Sequence, residues 1–164
     1  MMVYLFNILA AVFFTFFTHE VYTEIPHTAL MSLSLFLGYY GVLWLFSWFY
    51  NKRHFKKVPM AIGLFLFYIK ELWWASLKVT YDSLTPTHHM KPGVIAYPMI
   101  AKSDIEITLL ANFITLTPGS LSIDISEDRS ILYIHETYIQ HGDIPKYKEK
   151  LRNGFEKRIL EITR

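Results

Sequence analysis

The chain opens on two apolar stretches, residues 1–18 and 29–50, with no charged side chain in either. A hydrocarbon core of about 30 Å takes roughly 20 helical residues to cross, so the second stretch is long enough outright and the first just long enough. The polar link at 19–28, which contains Pro26, predicts a turn between two antiparallel helices. A third apolar segment, 58–84, carries Pro59 near its start, where a helix accepts proline, and places Lys70 and Glu71 close to its middle. Each such charge costs about 2.5–3.5 kcal/mol at the centre of a span. Glu71, Lys78 and Asp82 share one face at helical spacing, so this segment reads as an amphipathic helix on the membrane interface, with a third membrane span as the alternative.

Beyond residue 84 the pattern shortens. Residues 85–92 (TPTHHMKP) are a proline-bounded linker, and the β-branched and aromatic run at 93–100 predicts a strand. Ser103 and Glu106 stand at capping-box spacing, and Ile107, Leu110, Ala111 and Ile114 continue as a helical stripe. Pro118 and Gly119 stop that helix. Leu121, Ile123 and Ile125 alternate with Ser122 and Asp124, which predicts a half-buried strand; SEDRS at 126–130 is a turn, and 131–138 is a third strand. Gly142 and Asp143 open a last helix whose stripe is Tyr147, Leu151, Phe155, Ile159 and Ile162. The order βαββα predicts a three-stranded sheet with helices on one face, a right-handed first crossover and a following hairpin. The expected fold is thus a membrane α-helical N-terminal half followed by a small α+β cytoplasmic domain. Its parts are a transmembrane hairpin at 1–57, the amphipathic or third membrane helix at 58–84, the linker at 85–92 and the domain at 93–164.

Charge adds an orientation. There is no Lys or Arg before residue 51, and then Lys52, Arg53, Lys56 and Lys57 arrive together. A basic cluster at the end of a span marks the cytoplasmic side, so the N-terminus and the C-terminal domain are both expected there and the 19–28 link outside. The first stretch has no basic lead-in, and His19-Glu20-Val21 is a poor cleavage site, so it reads as a helix and not as a removed signal. The last 82 residues hold ten basic and ten acidic side chains. That balance argues against nucleic acid as a partner and leaves the basic cluster facing lipid headgroups. Trp44, Trp48 and Tyr50 suit an interfacial belt, and Ser32, Ser34, Gly38 and Gly41 are small enough to admit another helix.

Candidate chemistry is sparse. With no cysteine, disulfides, thiol nucleophiles and thiolate metal sites are excluded. Seven histidines are present, but His88 and His89 sit in a linker, His135 on a strand, and His19 and His27 across the membrane from them. None has metal-ligand spacing. Thr117-Pro118-Gly119-Ser120 lacks the lysine of a phosphate loop. No catalytic, cofactor or metal residue is assigned, and Lys70 and Glu71 stand as weak candidates for an ion path.

Four segments resemble one family. DIEITLLANFITLTPGSLSIDIS at 104–126, ILYIH at 131–135, FEKRILEITR at 155–164 and KPGVIAYP at 91–98 are similar to the E-type subunit (MrpE/MnhE family) of the multisubunit Mrp/Mnh/Pha-type cation/proton antiporters. The resemblance implies a non-enzymatic accessory subunit of the bacterial cell membrane. Its partners would be the other antiporter subunits, in a complex that exchanges cytoplasmic Na⁺ or another monovalent cation for external protons. It carries over no functional residue. Two readings from other classes stay open: a stand-alone membrane-tethered binding module, and a direct ion-conducting role through Lys70 and Glu71.

Overall fold

The computed structural model describes residues 2–22, 26–86, 90–139 and 144–164. The chain divides into two compact units, Met1–Pro59 and Met60–Arg164. His88, His89, Gly142 and Asp143 lie outside the described residues.

The first unit is a helical hairpin. Helix α1 spans Met2–Val21 and α2 spans Ala29–Tyr50. The Thr28 hydroxyl caps α2 by accepting the Met31 N–H at 3.3 Å, which satisfies one of the helix's orphan donors. The two helices pack antiparallel through a polar seam set in apolar surroundings. Thr18 Oγ1 meets the Tyr39 hydroxyl at 2.6 Å, and His19 Nε2 meets Ser32 Oγ at 3.0 Å. Asn7 and Ser47 are fully buried. Polar contacts of this kind fix helix register where lipid supplies no hydrophobic drive. Ser32 therefore faces α1. At Gly38 and Gly41 an added Cβ would meet no described atom within 4 Å.

Helix α3 spans Lys52–Leu84. It begins inside the basic cluster, one residue after α2 ends, with Asn51 out of helical conformation between them (φ −152, ψ 82). Pro59 consequently lies well inside the helix. Proline has no N–H, so the Phe55 carbonyl one turn back loses its helical donor. The Trp44 indole replaces it, donating Nε1–H to the Phe55 oxygen at 3.0 Å, and its ring stacks on Phe55 at 4.9 Å. Among the described residues, α1, α2 and α3 are the helices long and apolar enough to cross a membrane.

The second unit joins α3 from Met60 onward to a small domain. Strands β1 (Gly93–Pro98), β2 (Ser120–Ile125) and β3 (Ile131–Glu136) form an antiparallel sheet in the order β1-β3-β2, with the expected hairpin between β2 and β3. Helix α4 spans Asp104–Thr115 and carries the full capping box between Ser103 and Glu106. Gly119 takes a left-handed φ of +92 after it, a conformation glycine adopts at little cost. The last helical stretch is α5 (Ile144–Leu151), a π-turn at Arg152–Glu156, and α6 (Lys157–Thr163). Tyr97, Leu110, Ile114, Leu132, Ile134, Leu151, Phe155 and Ile159 form one core, and Leu64 of α3 belongs to it.

One expectation inverts. On β2 the apolar residues do not face the helices: Leu121 and Ile123 are about half exposed. The serines turn inward instead. Ser122 Oγ donates to the Ala111 carbonyl at 3.1 Å and Ser120 Oγ to the Ile114 carbonyl at 2.7 Å. Both carbonyls lie in the last turns of α4, that of Ile114 shared with the Thr117 N–H and hydroxyl, and two small hydroxyl residues tie the strand to the helix while letting it come close. A bulge between Ser122 and Asp124 then brings Ile125 opposite the buried Leu132. The outer face of the sheet, with Val94 and Ala96 on β1 and Leu121 and Ile123 on β2, stays open.

Candidate functional site

The polar groups on α3 gather where that helix meets the small domain. Residues 71, 75, 78 and 82 follow one another at helical spacing. Glu71, Ala75 and Lys78 line a cleft of about 240 Å³ with Ser120, Glu136, Tyr138, Tyr147 and Lys150. Asp82 is buried to 2% exposure. The Glu71 carboxylate pairs with the Lys150 ammonium at 2.5 Å, with 15% of the Glu71 side chain exposed. The Lys78 ammonium lies 3.9 Å from the centre of the Tyr138 ring. Lys70, the neighbour of Glu71, is exposed, so the structure does not bring these two charges together.

An aromatic clamp closes the same helix face. The Phe67 ring meets Phe155 edge-on at 5.1 Å, Phe155 stacks on Phe113 at 5.7 Å, and Tyr68 meets Phe113 at 5.4 Å. Arg158 covers the other side of Phe67 at 4.1 Å. Gly154 makes room: a Cβ there would stand 3.0 Å from Phe67 Cζ. The π-turn explains how residues 154, 155 and 156 are all buried. Three consecutive residues spread over about 200° in a regular α-helix, whereas an i→i+5 turn, with more residues per turn, gathers them closer to one face.

The third of these residues, Glu156, reaches across the domain. It accepts the Tyr97 hydroxyl at 2.6 Å and the N–H groups of Ile100 and Ala101 at 2.5 and 2.9 Å. Burial, then the Glu156 carboxylate, push the Tyr97 phenol well above its ordinary range. Burial, then Glu136, do the same to Tyr147. Burial, then Asp82, raise Tyr138. A second carboxylate, Glu106, is 4% exposed. Arg164, the Lys102 and Ser103 N–H groups and the Thr163 hydroxyl hold it down to about 2.

Glu156 and Glu106 bond backbone N–H groups, and Glu71 pairs with Lys150. Among the described residues no three His, Cys, Asp or Glu side chains converge as a metal-ligand set. The arrangement holds a domain on a helix. The Glu71–Lys150 pairing and the π-turn carry no local sequence signal, because both depend on residues far apart in the chain.

The other face of α3 is uncovered. Ile62, Phe65, Leu66, Ile69, Trp73, Leu77, Tyr81 and Leu84 are exposed and recur at three- and four-residue spacing. The helix therefore offers two apolar faces, one filled by its own domain and one open.

Comparison with known proteins agrees with this architecture. Residues 6–162 match the family MNHE, described as a Na+/H+ ion antiporter subunit. The E-type Na(+)/H(+) antiporter subunit of Bacillus subtilis is 37% identical over 139 residues, 85% of this chain and 87% of its own. A chain in the structure of the Mrp complex from Dietzia sp. DQ12-45-1b is 28% identical and covers 65% of this chain and 98% of its own, with a TM-score of 0.47. A chain of the membrane-bound sulfane sulfur reductase, an archaeal respiratory membrane complex, aligns over 97% of this chain and 98% of its own at 20% identity and a TM-score of 0.58, and so shares its fold. Three apolar helices followed by a small antiparallel α+β domain, matched by one family along nearly the whole chain, make this protein a member of the MNHE family of Na+/H+ antiporter subunits.

Proposed function

We propose that this chain is an accessory subunit of a multisubunit cation/proton antiporter of the cell membrane, serving assembly and stability of the complex and not carrying the ion. The hairpin anchors it, and the N-terminus and small domain lie on the cytoplasmic side. The open apolar surface carries this reading: the outer face of α3 and the outer face of the sheet are uncovered in the isolated chain, and exposed apolar patches of this extent mark interfaces. In this reading α3 lies along the membrane boundary, because its other face is occupied by the domain. Glu71 acts as a clamp on Lys150.

The test is deletion of residues 91–164, alongside a milder pair, Val94→Asp and Ile123→Asp, which charge the outer sheet face and leave the core alone. Both should lower recovery of the partner subunits on a tagged chain and reduce salt tolerance of cells. Unchanged complex size with unchanged antiport in the deletion would refute the role.

A further inference from the structure

Lys52, Arg53, Lys56 and Lys57 begin α3 directly after α2 ends. Their spacing stacks 52 on 56 and 53 on 57, so the four lie on one side of the helix within its first two turns. Between Glu24 and Glu71 the sequence has no Asp or Glu at all, so the formal charge of this stretch is wholly positive. Lys52, Arg53 and Lys56 are exposed. The corner that carries them is pinned. Trp44 donates to the Phe55 carbonyl at 3.0 Å, the Asn51 N–H bonds the Ser47 carbonyl at 2.6 Å, and Lys52 lies over the Trp48 ring at 5.9 Å. Trp48 and Phe49, half exposed or more, stand beside the cations as an interfacial belt would. A fixed group of four cations at the end of an apolar helix, flanked by exposed aromatic rings, is complementary to a phosphate that itself carries acyl chains.

We infer that the α2–α3 corner is a binding site for the headgroup of an anionic phospholipid, held by Lys52, Arg53, Lys56 and Lys57. This rests on α2 crossing a bilayer and is independent of which leaflet the corner occupies. Ammonium and guanidinium groups supply charge-assisted hydrogen bonds to the phosphate oxygens, and the neighbouring rings accompany the upper acyl chain. The Trp44–Phe55 bond holds the backbone of the corner from which the four side chains extend.

The full chain, carrying Trp73→Phe and Trp74→Phe so that only Trp44 and Trp48 fluoresce, is reconstituted into phosphatidylcholine vesicles. A minority of the lipid is brominated phosphatidylglycerol in one sample and brominated phosphatidylcholine in the other. Quenching should be several-fold stronger by the anionic lipid. That preference should fall roughly fivefold for each cation removed in Lys52→Gln and Lys56→Gln, and shrink as salt is raised past about 0.15 M. Equal quenching by the two lipids in the unaltered corner overturns the proposal without reference to any variant. So does a preference that salt leaves unchanged, or one that inorganic phosphate abolishes at matched ionic strength, which would assign a soluble anion. The assay needs no partner subunit, so its failure is separate from failure of the assembly role.

Discussion

Single side chains here settle problems that backbone geometry creates. Pro59 leaves the Phe55 carbonyl without its helical donor, and Trp44 supplies one. Trp44→Phe keeps the ring and removes the N–H. It should destabilise the hairpin unit by about 1–2 kcal/mol in detergent unfolding, and Pro59→Ala in the same background should restore most of that by returning a backbone donor. A loss that Pro59→Ala does not repair would mean the indole acts elsewhere. Glu106 is held near 2 against an ordinary 4.5. The stability it contributes is present above about pH 4.5 and drains away as pH falls toward 2. Glu106→Gln should cost about 2 kcal/mol at neutral pH and flatten melting temperature across that acid window, which thermal scans at several pH values would show. For Glu71, reversal of both partners in Glu71→Lys with Lys150→Glu should recover assembly and transport lost in either single variant. Recovery of assembly with transport still absent would instead favour an ion path through this position.

At the scale of elements, what was legible in the sequence was local. The capping box of α4 lies within four residues, and the stripe Leu151, Phe155, Ile159 declares itself by period alone. The face of α3 shared by Glu71, Lys78 and Asp82 was readable too, although what covers it was not. The inward side of β2 was hidden: alternation assigns Leu121 and Ile123 to the core, but the carbonyls ending α4 claim the serines. The π-turn was equally hidden, since it exists to satisfy Phe67 and the 99–101 segment at once. Gly154→Ala weighs two terms of opposite sign. Helix propensity favours alanine by about 1 kcal/mol, while contact with Phe67 at 3.0 Å opposes it by about 1–3 kcal/mol. Phe67 is held between Phe155 and Arg158, so the contact should win and the variant melt lower. With Phe67→Leu added, the same alanine should become neutral or stabilising.

The whole molecule is two units, each finished on one side only. The hairpin buries a polar seam and leaves its rim of Phe and Leu side chains exposed; the α3 unit fills one helix face and leaves another, together with an outer sheet face, bare. The family's reach over residues 6–162 takes in both, so neither part is an appendage peculiar to this chain. The bare surface has a consequence for cellular abundance. A polypeptide that displays this much apolar area when alone is recognised by quality-control proteases unless something covers it. Its steady-state level should therefore follow the supply of whatever covers it and not its own rate of synthesis. Overproducing it should yield little extra protein, with the surplus degraded within minutes in a pulse-chase, and gene dosage in such an assembly would be buffered by turnover.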